Sequence, residues 1–213
     1  MNIYTGAENM KLDSDMLDYA IANKLTEPIF RFYGWSPACV SLGRNQKDDF
    51  LDRKFLKANN IDVVRRLTGG RALLHDNEIT YCYVCPQGDD SVAESYKKIS
   101  QILIDAFAGM GIPLEFGGER KPGHFDYCML VSTGADLCYK GKKLIGSAQF
   151  RKEGYILQHG SILYDYDTEL LAKIFNEKVD KNAVTSIKEI APDLTKEELL
   201  QKLNMSVQIM QFS

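Results

Sequence analysis

The 213-residue chain has little of several features that would assign it directly to a functional class of proteins. Its 26 lysines and arginines are outnumbered by 29 aspartates and glutamates and form no basic stripe, which argues against a general nucleic-acid binder. No apolar run approaches the roughly 20 residues that cross a bilayer, and the N-terminus has no basic segment followed by an apolar one. We therefore expect a cytoplasmic protein that engages neither nucleic acid nor a membrane.

Cysteine is sparse, with five residues at irregular spacing, so we expect reduced thiols rather than a disulfide framework. Cys82 and Cys85 form a CxxC motif, but no second such pair or histidine pair completes a zinc set. The motif lies in a predicted strand, where positions three apart face opposite sides of the sheet. We therefore predict core packing for both, structural thiols at Cys39 and Cys138, and no metal site.

Cys128 differs from the other cysteines because it lies in the irregular segment 117–134, near His124 and Asp126. A long segment without periodicity inside a compact domain is typical of a working loop. A thiol there can be exposed, and a nearby cation such as Lys142 or Lys143 would increase its thiolate fraction. Both lysines can equally be read as a solvated turn.

The chain also lacks a Walker A loop and a dinucleotide fingerprint, because its stretch "RRLTGGRALLHDNEITY" fits neither spacing. Gly69 and Gly70 permit positive φ and a close approach of the backbone to a ligand, where amide groups can hold an anion or a carbonyl oxygen. Arg65, Arg66 and Arg71 add cationic groups that suit phosphates or carboxylates. An alternative with about equal support is a hairpin turn with solvated arginines.

Apolar periodicity predicts helices over 10–25, 47–60 and 91–110, the last with a capping box at Ser91 and Glu94. Predicted strands cover 28–35, 38–43, 61–66, 78–85 and 113–116.

Two hairpins are predicted to turn near Gly141 and at "KEG", residues 152–154, and the tail is predicted to be helical with caps at Asp167 and Thr195. Strands and helices that do not strictly alternate indicate an α+β protein with a mixed, largely antiparallel sheet flanked by helices. We expect a single catalytic-type domain over 1–213, with 167–213 as its helical C-terminal part.

Four segments together carry a family resemblance: "GWSPACVSLGRNQ", "VVRRLTGGRALLHDNEITY", "GKKLIGSAQFRKEG" and "LQHGSIL", in that order. They resemble the lipoate–protein ligase A and octanoyltransferase superfamily, which shares its fold with the biotin protein ligases, over about residues 1–165. The resemblance is closest to the cysteine-dependent octanoyltransferases of Gram-positive type. It implies an acyl chain lying beside the Thr68-Gly69-Gly70 stretch. The neighbouring arginines would face the carrier or carboxyl end of the substrate.

The resemblance also assigns roles to residues. It implies that Cys128 is the nucleophile that accepts the acyl group and that Lys143 sits near the thiol and polarises the thioester carbonyl. It implies that ten further residues bind substrate: Arg66, Thr68, Gly69, Gly70, Arg71, His75, Gly146, Ser147, Ala148 and His159. The sequence departs from the family pattern after the cysteine, where Met129 replaces the usual phenylalanine.

Two chemistries compete within that superfamily. Lipoate ligases activate a free carboxylate with ATP and Mg²⁺, whereas octanoyltransferases start from a thioester that is already activated. Arg71 stands where ligases commonly have a third glycine, and Cys128 stands where they usually have an Asn-Asp pair. We also expect no ligase accessory domain after residue 213.

The resemblance therefore implies an octanoyltransferase without a cofactor. It would move octanoyl groups from acyl carrier protein, through a cysteine thioester, to the lipoyl-domain lysine of glycine-cleavage H protein or of dehydrogenase E2 subunits. The alternatives are an ATP-dependent lipoate ligase, an amidotransferase acting between two lipoyl domains, and a noncatalytic acyl- or carrier-binding protein.

Overall fold

The computed structural model describes residues 1–118, 126–130 and 133–211 of the chain. Within these ranges the strands are β1 Asn2–Tyr4, β2 Ile29–Trp35, β3 Cys39–Leu42, β4 Asp62–Arg65, β5 Leu73–His75, β6 Glu78–Pro86, β7 Glu115–Phe116, β8 Leu137–Tyr139, β9 Lys142–Lys152 and β10 Tyr155–Leu163. The helices are α1 Gly6–Ala22, α2 Arg53–Ala58, α3 Val92–Ala108, α4 Thr168–Phe175, α5 Ile187–Ile190 and α6 Lys196–Gln211, with a 3-10 turn at Cys128–Leu130.

Among the described residues, the larger sheet has seven strands in the order β1-β2-β6-β10-β9-β8-β7. Neighbouring strands are antiparallel except for the parallel pair β1–β2. The two predicted hairpins join β8 to β9 and β9 to β10, and each contains a glycine at positive φ, Gly141 at 74° and Gly154 at 80°. The predicted α+β class with a largely antiparallel sheet is confirmed.

The smaller sheet has the order β4-β3-β5, with β3 parallel to β4 and antiparallel to β5. Because β3 lies between them, the segment that joins β4 to β5 crosses from one edge of this sheet to the other. A hairpin requires adjacent strands, so the hairpin interpretation of the glycine stretch is wrong. Arg66 in this segment is buried rather than solvated. We refer to residues 66–72 as the TGG loop.

The helices begin at capping residues. The predicted capping box of Ser91 and Glu94 starts α3, and the carboxylate of Asp167 accepts amide hydrogen bonds at the start of α4. Thr195 and Glu198 form the same type of box before α6. α1 begins four residues earlier than predicted, at Gly6, because the apolar period that marks its buried face does not extend into its first turn.

In the ranges that the structure describes, three apolar clusters hold these elements together. One packs α3 and α6 against the larger sheet, a second packs α2 and α4 against the smaller sheet, and the third places α1 on β2, β6 and β10. A cleft remains between the two sheets, bounded by α1 and the TGG loop. In the described part of the chain, every helix is too short or too polar to cross a bilayer.

Candidate active site

The cleft encloses about 470 Å³ of space when its open mouth is included. All of the predicted site residues line it except Thr68 and Lys143, whose side chains contact the lining residues His159 and Cys128. The predicted residues that line it are Cys128, Arg66, Gly69, Gly70, Arg71, His75, Gly146, Ser147, Ala148 and His159.

Other lining residues were not predicted, and most of them give the cleft its apolar character. They include Met10 on α1, Tyr33 and Trp35 on β2, and Leu73 on β5. Their apolar spacing is the same as that of ordinary core residues, so the sequence offers no signal that separates a cleft wall from a packed core.

The backbone of the TGG loop fixes the position of Cys128. The amide of Cys128 donates to the carbonyl of Ala72 at 2.8 Å, and the amide of Ala72 donates to the carbonyl of Asp126 at 3.0 Å. On the other side, the carboxylate of Glu177 accepts from the amides of Asp126 and Tyr127. These partners lie about fifty residues away in either direction, which explains why the segment shows no local periodicity.

The residues before and after Cys128 in the sequence, Tyr127 and Met129, are both buried in the protein interior. The ring of Tyr127 is buried and stacks on Phe175 with 4.8 Å between centroids. Met129 is also buried and lies over Gly146, where an added Cβ would stand 3.3 Å from its sulfur. Glycine at 146 therefore leaves room for the side chain of Met129. Cys128, which lies between Tyr127 and Met129, is half-buried and faces the cleft.

Lys143 lies beside this thiol. Its Nζ is 3.8 Å from the Sγ of Cys128, donates to the carbonyl of Cys128 at 3.1 Å, and forms an ion pair with Asp136 at 3.1 Å. Burial lowers the pKa of Lys143, but the charges of Cys128 and Asp136 outweigh burial and hold that pKa above its ordinary value. The side chain is therefore an ammonium group that can stabilise a thiolate and a developing oxyanion.

Thr133 holds the carboxylate of Asp136 in position for its ion pair with Lys143. The Oδ2 atom of Asp136 accepts from the amide of Thr133 at 2.7 Å and from its hydroxyl at 3.1 Å. A buried carboxylate with these hydrogen bonds supplies the charge that the buried ammonium of Lys143 requires.

His159 is part of a buried triad that continues behind the cleft, the Asp13 triad (Asp13, His159 and Thr68). His159 Nδ1 is 2.8 Å from Asp13, and its Nε2 is 2.7 Å from the hydroxyl of Thr68. Burial lowers the pKa of His159 below its ordinary value of 6.5, despite its hydrogen bond to Asp13. Burial raises the pKa of Asp13, but the bond from His159 and the charge of Arg31 outweigh it, so the pKa of Asp13 is lowered.

His75 belongs to a second group of the same form, the Glu78 triad (Glu78, His75 and Ser41). His75 Nδ1 is 2.6 Å from Glu78, and its Nε2 is 2.7 Å from the hydroxyl of Ser41. Trp35 stacks on the imidazole with 3.9 Å between centroids. Both nitrogens of each cleft histidine therefore have protein partners, so neither histidine serves as a free base.

Acidification is expected to destabilise the protein through His159. Its pKa is lower in the folded chain than the 6.5 of the exposed group, so below pH 6.5 the unfolded state binds a proton that the folded state does not. Stability is then fully present above pH 6.5 and falls as the pH drops toward the folded pKa, by about 1.4 kcal/mol per pH unit. Urea unfolding at several pH values measures this slope.

His159→Gln provides the control for this slope, because it removes the titrating group whatever its effect on baseline stability. The slope assigned to His159 is the difference between the two proteins over this pH window. Equal slopes in both proteins would contradict the assignment.

The remaining cysteines take structural positions. Cys39, Cys82 and Cys138 are buried, while Cys85 is half-buried on β6. Burial raises the pKa of Cys39 to about 12 and that of Cys85 to about 11, so both are thiols at neutral pH. The described residues contain no cluster of three or more metal-ligating side chains, and His124 lies outside them.

Comparison with known proteins gives a family for this architecture. A model of the lipoyl protein ligase A/B catalytic domain matches residues 5–208. The octanoyltransferase LipM of Clostridioides difficile (strain 630) is 40% identical over 184 residues, a match that covers 82% of this chain and 68% of the relative.

Solved structures share the fold at lower identity. A lipoate-protein ligase A bound with ATP superposes with a TM-score of 0.77 at 22% identity, covering 97% of this chain and 81% of that one. A bipartite lipoate protein ligase from Thermoplasma acidophilum, described together with its E2 lipoyl domain, gives a TM-score of 0.72 at 21% identity, covering 97% and 80%.

Proposed function

The chain belongs to the lipoyl protein ligase A/B catalytic domain family and is an acyltransferase, and we propose that it moves octanoyl groups from acyl carrier protein to the lysine of a lipoyl domain. The acceptors would be glycine-cleavage H protein or dehydrogenase E2 subunits. The observation that carries the proposal is the Cys128 thiol in the cleft with the Lys143 ammonium 3.8 Å from its sulfur. A ligase acting on a free carboxylate needs no such nucleophile.

In the first step the Cys128 thiolate attacks the carbonyl carbon of the octanoyl thioester. A new C–S bond forms on Cys128, the bond to the carrier breaks, and the carrier leaves as a thiolate that takes up the proton that the Cys128 thiol gave up on ionising. One thioester replaces another, so the exchange is nearly isoenergetic and requires no ATP. The ammonium of Lys143 lies beside the reacting sulfur, where it stabilises the thiolate and the oxyanion of the tetrahedral intermediate.

In the second step the neutral amine of the acceptor lysine attacks the Cys128 thioester. A C–N bond forms, the C–S bond breaks, and the proton lost by the amine neutralises the departing thiolate, so that Cys128 returns to its starting form. Both steps use groups already present in the chain, and we propose that no cofactor takes part.

The walls of the cleft suit an apolar acyl chain. Tyr33, Trp35 and Leu73 supply apolar wall from two different sheets, and Met10 adds a flexible thioether side chain from α1. Adjacent glycines at 69 and 70 bring the loop backbone to the surface of the same space without intervening side chains.

Intact-mass spectrometry tests the covalent route. The protein mixed with octanoyl carrier protein, without ATP, is expected to gain the mass of one octanoyl group on Cys128 and to lose it when a lipoyl domain is added. The variant Cys85→Ala, which removes another half-buried cysteine, should gain the same adduct.

Each other outcome of this experiment contradicts the proposal. Modification of the lipoyl domain only when lipoate, ATP and Mg²⁺ are present identifies a ligase. Acylation only from an octanoylated lipoyl domain identifies an amidotransferase. Absence of an adduct and of product with all of these donors identifies a noncatalytic binding protein.

A further inference from the structure

Arg66 lines the cleft, yet the protein itself occupies all of its hydrogen-bond donors. Its Nε donates to the hydroxyl of Thr68 at 3.2 Å, and its Nη1 donates to the carbonyl and the hydroxyl of Ser41 at 2.9 and 2.8 Å. Its Nη2 donates to the carbonyls of Gly69 and Arg71 at 2.9 and 3.0 Å. A guanidinium group has five N–H bonds, so none is left for a substrate carboxylate or phosphate.

The two hydroxyls that hold this guanidinium are the ends of the Glu78 triad and the Asp13 triad. In each triad a buried carboxylate contacts Nδ1 of a histidine, and Nε2 of that histidine contacts the hydroxyl. The hydroxyl oxygens of Ser41 and Thr68 then accept from the two sides of the same guanidinium. The triads resemble those of nucleophilic enzymes, but Ser41 and Thr68 are fully buried and cannot reach a substrate.

One assignment of the protons gives every contact in this arrangement one donor and one acceptor. Arg66 can only donate, so each hydroxyl oxygen accepts from it and gives its own proton to the histidine Nε2. Each histidine then carries its proton on Nδ1 and donates it to Glu78 or Asp13. Because no donor faces another donor, the network fixes the orientation of the guanidinium from two independent directions.

The carbonyls that Arg66 holds lead directly to the nucleophile. Arg71 accepts from Arg66 through its carbonyl, and the amide of that same peptide unit belongs to Ala72. The amide and the carbonyl of Ala72 pair with Asp126 and with Cys128. The guanidinium therefore holds the peptide unit whose amide bonds to Asp126, and the next carbonyl along the chain accepts from the amide of Cys128.

We propose that Arg66 is a positioning residue, clamped by the Glu78 and Asp13 triads, that sets the TGG loop and through it the location of Cys128. This role rests on the proposed acyl transfer, because its purpose is to keep the thiol at the distance from Lys143 at which an acyl group is accepted. Arg66 does so without touching the substrate.

Two variants each remove one hydroxyl, and with it the contacts to Arg66 and to a histidine, without removing charge. Ser41→Ala cuts the Glu78 triad, and Thr68→Val cuts the Asp13 triad with little change of shape. Thr68→Ser keeps the hydroxyl and serves as the rescue. Ser100→Ala is the matched control, because the Ser100 hydroxyl is buried without a hydrogen-bond partner among the described residues.

Amide hydrogen exchange reports the position of the loop without any acyl donor. Ser41→Ala and Thr68→Val are expected to raise the exchange rates at Ala72 and Cys128 about tenfold above those of Ser100→Ala at equal global stability. Acylation of Cys128 should slow about 10- to 100-fold with little change in KM, since a displacement of about 1 Å can cost about 100-fold. Thr68→Ser should restore both quantities.

The positioning role is overturned if exchange at Ala72 and Cys128 in both variants equals that of Ser100→Ala. It is also overturned if KM rises while the acylation rate at saturation stays constant, because that pattern indicates direct substrate binding. A wild-type protein that accepts no octanoyl group would refute the proposed function alone, since the exchange measurement still decides the role of Arg66.

Discussion

Replacing Cys128 by alanine is expected to lower the rate of octanoyl transfer by at least about 1,000-fold, because loss of the nucleophile from a catalytic unit has an effect of this order or larger. The fold should persist. The side chain is half-buried, and its neighbours Tyr127 and Met129 supply the anchoring contacts. We expect the free energy of unfolding to change by less than about 1 kcal/mol. Transfer is measured from octanoyl carrier protein to a lipoyl domain by mass spectrometry.

Cys85→Ala is the control for this variant, since Cys85 is also half-buried but lies on β6 and does not line the cleft. It should retain wild-type transfer. A Cys128→Ala protein that transfers octanoyl groups at the wild-type rate would show that the acyl group passes directly from donor to acceptor.

Replacing Lys143 by methionine is expected to produce two separate losses. The first is stability, because the variant leaves Asp136 buried without the ion pair at 3.1 Å, and breaking a buried pair from one side costs about 3–5 kcal/mol. The second is catalysis, because removal of one donor to an oxyanion typically lowers the rate by about 100- to 1,000-fold. Urea unfolding and single-turnover acylation measure the two effects.

The double variant Lys143→Met/Asp136→Asn separates these losses. It removes the unpaired charge, so stability should return toward that of the wild type while acylation stays slow. If acylation recovered together with stability, Lys143 would have only a structural role, and the proposed chemistry at Cys128 would lack its cation.

Much of the fold could be predicted because it depends on neighbours in sequence. The capping boxes, the hairpins at Gly141 and Gly154, and the apolar period of α3 are all local. The path of the TGG loop could not be predicted in this way. Whether two strands are joined by a hairpin or separated by a third strand depends on β3, which comes from more than twenty residues earlier in the chain.

In the site, too, one part could be predicted from the sequence and another could not. Residue types and the family resemblance brought Cys128 and Lys143 together as a pair, and their atoms lie within contact distance. The role of Arg66 left no such signal, because its partners come from Ser41, Thr68, Gly69 and Arg71 and satisfy it completely. An arginine beside glycines predicts an anion site, and only the accounting of its donors shows that it holds the loop.

The anchoring of the Cys128 segment by Glu177 bears on how relatives of this protein should be compared. Asn176 ends α4 in a left-handed conformation at φ 52°, and the carboxylate that follows it meets the amides of Asp126 and Tyr127. The four segments that reveal the family all end before α4. Two homologues could thus share all four segments and still hold their thiols differently. Alignments meant to transfer mechanism must therefore extend beyond those segments to Glu177.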